Sequence, residues 1–161
     1  MAENGIKDGL IPSFQVDHNL IVPGIYVSRV DTIGNEYATT FDIRMKHPNT
    51  EPSVHPNAMH TIEHIIATYL RNDDEWKDDI IYWGPMGCMT GSYLIVKGRP
   101  DTEEIYKLMI RAFEYLSVFE GEVPGAAPEC CGNYIFHDLN TAKYEAAQFV
   151  KRLKEQQKSD R

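Results

Sequence analysis

The sequence predicts an α+β fold, with an antiparallel or mixed β-sheet and helices packed on it. Three observations carry this expectation. Residues 37–48, YATTFDIRMKHP, alternate: Phe41, Ile43 and Met45 share one face, and Asp42, Arg44 and Lys46 the other. Ile105, Leu108, Met109, Ala112, Leu116 and Phe119 recur at helical spacing, behind an Asp101 and Glu104 spaced as a capping box. Strand-like and helix-like stretches also follow one another without the regular βαβ alternation of a parallel sheet.

Taken in order, residues 1–12 are polar and glycine-containing, and should form a loose arm. SFQVDHNLIV (13–22) and GIYVSRVD (24–31) alternate well enough for strands, separated by Pro23 and Gly24. After the strand at 37–48, the proline-rich stretch HPNTEPSVHPN must be a loop. A helix capped by Asn57 should run to about Asn72, with Ile62, Ile66, Tyr69 and Leu70 on one stripe. DIIYW and SYLIVKG read as strands on either side of the turn GPMGCMTG. The helix from Asp101 follows, then a long loop, GEVPGAAPECCGN. YIFHDL reads as a short strand, and Asn140 should cap a last helix through about Leu153. No internal repeat or Gly/Ser linker interrupts the 161 residues, so one domain over 1–161 is expected.

Composition narrows the partners. The formal charge is −8, from 24 acidic and 16 basic residues, and the one basic cluster, KRLKEQQK, also contains Glu155. A nucleic-acid surface needs clustered cations, so none is expected. No apolar run approaches the ~20 residues that span a bilayer, so no membrane partner is expected either. The first residues lack the basic and apolar regions of a signal peptide, and Cys88, Cys130 and Cys131 cannot all pair. A cytoplasmic location follows as the expectation.

Two stretches carry chemistry. In MHTIEHIIA, His60 and His64 stand four apart, so one helical face presents both rings, with Glu63 leaning toward the same side. Two imidazole ligands beside an unligated carboxylate make a catalytic metal site. Spacing alone also admits ordinary histidines at the edge of a core. In PMGCMTG, Cys88 sits in a turn flanked by Gly87 and Gly91. It is either a small buried hydrophobe or a thiol whose ionisation a cation such as Arg44 would favour. Arg44 could equally lie on a solvated strand face.

Five segments, in order and covering nearly the whole chain, together resemble the S-ribosylhomocysteine lyase (LuxS) family: SFQVDHN, TFDIRMKHPN, HTIEH, PMGCMTG and CGNYIFHDL. The resemblance implies that His60, His64 and Cys131 hold a metal, with Fe²⁺ expected and Zn²⁺ or Co²⁺ able to substitute. It implies proton transfer by Cys88 and Glu63, and a ribose pocket lined by Ser13, His18 and Arg44. A homodimer with two interface sites is implied too, as is a fold related to that of the H-x-x-E-H metallopeptidases. Cys130 becomes an incidental neighbour of the ligand. The implied reaction moves the sugar carbonyl from C1 to C3 and then eliminates the thioether. Its products are homocysteine and 4,5-dihydroxy-2,3-pentanedione, the autoinducer-2 precursor of quorum sensing, and homocysteine would return to the methyl cycle. Tyr82, Trp83 and Met89 depart from the commoner family pattern beside the thiol turn.

Two other functions compete. A zinc peptidase of the H-x-x-E-H type would need an acidic third ligand, for which Glu120, Glu122 or Glu129 could serve. A non-catalytic metal-binding module would use the same ligands but would have no task for Cys88 or Arg44.

Overall fold

The computed structural model describes residues 11, 14 and 16–159. Apart from residue 11, the arm expected over 1–12 lies outside the described residues, and so does Ser13. Four strands, β1 (Gly24–Ile33), β2 (Glu36–Arg44), β3 (Ile80–Pro85) and β4 (Gly91–Lys97), form one sheet in the order β1-β2-β4-β3. Every pairing is antiparallel. Three helices lie wholly among the described residues: α1 (Pro56–Leu70), α2 (Thr102–Ser117) and α3 (Leu139–Ser159). The expected α+β class is therefore present, in its antiparallel form.

The core forms where the apolar face of the sheet meets the helical stripes. Phe41, Ile43, Leu94 and Val96 from β2 and β4 join Ile62 and Ile66 of α1, Leu108 and Phe113 of α2 and Phe149 of α3. Phe113 stacks edge-on against Phe149 at 4.9 Å between ring centres and lies 6.2 Å from Trp83. Trp83 is thus a core residue, whereas its neighbour Tyr82 is exposed on the other sheet face.

That second face holds a surprise. Asp42 and Arg44 are only 7% and 2% exposed, so they do not lie on a solvated surface. Their bidentate ion pair, at 3.1 and 2.5 Å, compensates two charges that burial would otherwise penalise. A cavity of about 260 Å³ lies against them, walled by Val16, Ile21, Tyr26 and Val27.

Three local expectations are corrected. Among the described residues of 13–22, Asp17 accepts the Asn19 amide at 2.9 Å and its carbonyl accepts the Leu20 amide at 3.0 Å. This side-chain turn replaces the expected strand. YIFHDL is likewise no strand, because its polar groups bond to α1 (described below) instead of to a sheet edge. The helix caps also shift. His55 caps α1 ahead of Pro56, and Asp138 caps α3 by accepting the Thr141 amide at 3.0 Å. The capping box at Asp101 and Glu104 is as expected.

Arg152 of α3 ties the helix to the loop after β2, bonding both oxygens of Glu51 at 2.5 and 2.8 Å and the Met45 carbonyl at 2.9 Å. The Arg152 hydrogen bonds hold Glu51 well down, from 4.5 to about 2. Because the folded value lies below the unfolded one, the stabilisation is complete above about 4.5 and is lost as pH falls toward about 2. Glu51→Gln should therefore lower the melting temperature by a few degrees at pH 7, equivalent to about 1–2 kcal/mol after solvent screening. Thermal melts at successive pH values should find that difference shrinking below 4.5 and absent near 2.

Candidate metal centre and thiol site

α1 presents its apolar stripe to the core, which leaves the edge bearing His60, Glu63 and His64 half-buried and turned away from it. The segment after Cys131 crosses this edge as a strap. The Phe136 carbonyl accepts from His60 Nδ1 at 2.7 Å, and the Asp138 amide donates to Thr61 Oγ1 at 3.0 Å. The loop ahead of it closes on His64, whose Nδ1 donates to the Pro124 carbonyl at 2.7 Å. Gly125 turns this loop at φ 71, a left-handed conformation that favours glycine.

These bonds settle the tautomers. A carbonyl can only accept, so both imidazoles carry their proton on Nδ1 and offer the Nε2 lone pair. Cys131 Sγ lies 3.4 Å from His60 Nε2. A tetrahedral ion with bonds of about 2.0 Å to nitrogen and 2.3 Å to sulfur separates such donors by about 3.5 Å. The donor set of imidazole and thiolate suits Fe²⁺, Co²⁺ or Zn²⁺, not Mg²⁺ or Ca²⁺. Of the two adjacent cysteines, Cys131 lies with the imidazoles, whereas Cys130 is exposed and is not part of the group.

The sequence reading missed His137. Its donor atom lies with those of His60, His64 and Cys131, all within 4.8 Å of one another. Its ring stacks on His60 at 4.1 Å, with 16° between the planes. Thr61 Oγ1 gives its proton to the Asn57 carbonyl, so His137 Nδ1 donates to that oxygen across 3.1 Å and Nε2 is left as a bare acceptor. That Nε2 is buried without a hydrogen-bond partner. Burial, then the nearby His60 and His64, push His137 down to about 4, so the ring is neutral near pH 7. His137 is therefore a fourth donor beside His60, His64 and Cys131, and its ring is stacked on that of His60. A histidine six residues after Cys131 was the available signal, but the strand reading of YIFHDL hid it.

The thiol site lies between β3 and β4. The turn is pinned on several sides: Met86 N to Gly91 O at 2.9 Å, Val54 N to Met89 O at 2.9 Å, and Met45 N to Thr90 O at 2.9 Å. Met89 adopts φ 57, a strained left-handed conformation held by these bonds. Gly91 faces Arg44 across the ladder, and a Cβ on it would come within 2.3 Å of the Ile43 carbonyl. Gly91→Ala should accordingly cost about 1–3 kcal/mol and lower the melting temperature by several degrees.

Arg44 Nη1 lies 3.9 Å from Cys88 Sγ, so the structure brings these two together. Partial burial opposes ionisation of the thiol. The Thr90 hydroxyl and amide, followed by the Arg44 charge, outweigh it and hold Cys88 below the ordinary thiol range. His18 is close enough for its charge to favour the Asp42 carboxylate, a contribution smaller than those of burial and Arg44. Glu63 stays on α1 beside His64, and among the described residues its carboxylate makes no hydrogen bond or ion pair. No hydrogen bond or ion pair among the described residues joins the Cys88 group to the imidazole group.

The acidic ligands that a peptidase would require are not with the imidazoles. Glu120 instead pairs with Lys143 at 2.6 Å, and neither Glu122 nor Glu129 joins the donor cluster. No helix among the described residues is long and apolar enough to cross a membrane.

Comparison with known proteins agrees with this geometry. The family model of S-ribosylhomocysteinase (LuxS) matches residues 11–160. An S-ribosylhomocysteine lyase of Phocaeicola vulgatus is 55% identical over 150 residues, covering 93% of each chain. One from Porphyromonas gingivalis is 52% identical, over 89% of this chain and 90% of its own. One from Clostridium beijerinckii is 46% identical, over 87% and 88%.

Proposed function

The chain belongs to the S-ribosylhomocysteinase (LuxS) family, and on that footing we propose that it cleaves S-ribosylhomocysteine to homocysteine and 4,5-dihydroxy-2,3-pentanedione, with Cys88 and Glu63 moving protons beside a metal held by His60, His64 and Cys131. The observation that carries this reading is the convergence of two Nε2 lone pairs and a thiol sulfur on one edge of α1, in a chain that also holds an activated cysteine. The peptidase reading is not favoured, since the relatives are lyases along nearly their whole length.

The chemistry assigns the tasks. Elimination of the thioether at C5 needs an acidic proton at C4, and therefore a ketone at C3. The aldehyde carbonyl at C1 must migrate to C2 and then C3, and each move takes a proton from carbon beside a carbonyl. Cys88 as its thiolate, which Thr90 and Arg44 favour, suits that removal, and returns the proton to the adjacent carbon. Glu63, unpaired among the described residues, can carry protons between the sugar oxygens. When bound, Fe²⁺ would act as a Lewis acid that makes those carbon-bound protons removable. Arg44 and His18, with Ser13, would bind the ribose hydroxyls near the 260 Å³ cavity.

A homodimer follows from the same reading, each site drawing on both chains. Two inactive proteins test it: Cys88→Ala and His64→Ala, unfolded together and refolded with Fe²⁺. Sites built from the thiol half of one chain and the metal half of the other would regain about one quarter of wild-type activity. If the mixture stays inactive although mixed dimers form, each site belongs to one chain. Glu63→Gln separates an enzyme from a metal-binding module. The enzyme loses turnover with its metal retained, whereas a module would keep its only activity. A single domain, a cytoplasmic location and roles in the methyl cycle and quorum sensing complete the proposal.

A further inference from the structure

Arg44 is the charge nearest the Cys88 sulfur, but its donors are largely committed elsewhere. Nε and Nη2 bond to the two oxygens of Asp42 at 3.1 and 2.5 Å, and Nη1 bonds to Thr90 Oγ1 at 2.7 Å. The remaining approach, from Nη1 to Cys88 Sγ, is 3.9 Å, long for a hydrogen bond even to sulfur. Thr90 Oγ1, by contrast, lies 3.1 Å from that sulfur.

The donor inventory gives the direction. A guanidinium only donates, so Thr90 Oγ1 accepts from Arg44 and its own proton is free for the sulfur. Donation by a cation to the hydroxyl oxygen polarises the O–H bond and makes it the better donor. Asp42 fixes the arginine so that Nη1, and no other nitrogen, meets the threonine. Thr90 is 7% exposed, so its side chain is largely withdrawn from solvent.

We propose that Thr90 is a positioning residue for the reaction: its hydroxyl relays the pull of Arg44 to Cys88 and directly holds the sulfur as thiolate. This rests on the reading of Cys88 as a proton-transfer residue. The side-chain pattern needed is an Asp42–Arg44–Thr90–Cys88 chain, in which the arginine acts mainly through its neighbour.

The test reads the sulfur itself, so it gives an answer whether or not lyase turnover is seen. Metal-loaded protein is alkylated with iodoacetamide across pH 5–10, and the tryptic peptide of residues 78–97, which contains Cys88 and no other cysteine, is quantified by mass spectrometry. Thr90→Val should slow alkylation of Cys88 at pH 7 by about ten-fold, equivalent to about one pKa unit, and move the profile to higher pH. Thr90→Ser should restore the wild-type profile. Arg44→Lys should slow the wild type but add little in the Thr90→Val background. If valine does not fold, as judged by circular dichroism and metal content, alanine takes its place with the same expectations. A Thr90→Val profile matching wild type, a serine variant as slow as valine, or a full additional effect of Arg44→Lys would each overturn the proposal.

Discussion

Cys88→Ala should lower thiol release from S-ribosylhomocysteine by about a hundred- to ten-thousand-fold while leaving metal content and melting temperature nearly unchanged. The magnitude is that of losing a positioned acid–base group. The structural neutrality follows from the position, since Cys88 is exposed in its turn and the turn is held by backbone bonds from Met45, Val54 and Gly91. Arg44 keeps its Asp42 and Thr90 bonds without the sulfur, so no buried charge is stranded. Steady-state kinetics with metal analysis on the same sample would check both halves. Near-normal turnover by the alanine protein would remove Cys88 from the mechanism.

The second large effect is at the other group. His64→Ala should remove an imidazole whose Nδ1 bond to the Pro124 carbonyl leaves its Nε2 lone pair free and, on the proposed reading, should abolish both metal retention and turnover. The affinity loss should exceed the roughly 10- to 100-fold typical of second-shell changes. Removing the metal from wild-type protein with a chelator should likewise abolish activity, and anaerobic Fe²⁺ should restore it. Elemental analysis after gel filtration reads the first outcome directly. A His64→Ala protein that retains a full equivalent of metal with wild-type affinity would show that the ion is held elsewhere.

The sequence carried some of this architecture better than the rest. Helix α2 was legible because its cap and its stripe are local, and the 3.6-residue spacing of Ile105, Leu108 and Leu116 needs no partner to be read. Strand β2 was legible for the same reason. The surroundings of its polar face stay open in the sequence, because alternation says which residues share a side but not whether that side meets water. Asp42 and Arg44 are buried there as a pair, which only the cavity walls and Thr90 reveal. YIFHDL looked like a strand because Tyr134, Ile135 and Phe136 favour one. The competing bonds of Phe136 and Asp138 to α1 come from residues more than seventy positions away. His137 was hidden by the same error. The choice of Cys131 over Cys130 came through family resemblance, and the side-chain positions agree with it.

The most direct test of the central claim is anaerobic turnover of S-ribosylhomocysteine by Fe²⁺-loaded protein, following free thiol with a chromogenic reagent and trapping the dicarbonyl product. The account predicts homocysteine and 4,5-dihydroxy-2,3-pentanedione in equal amounts, formed catalytically and only by metal-loaded protein. Fully metallated, folded protein that releases no thiol would contradict it.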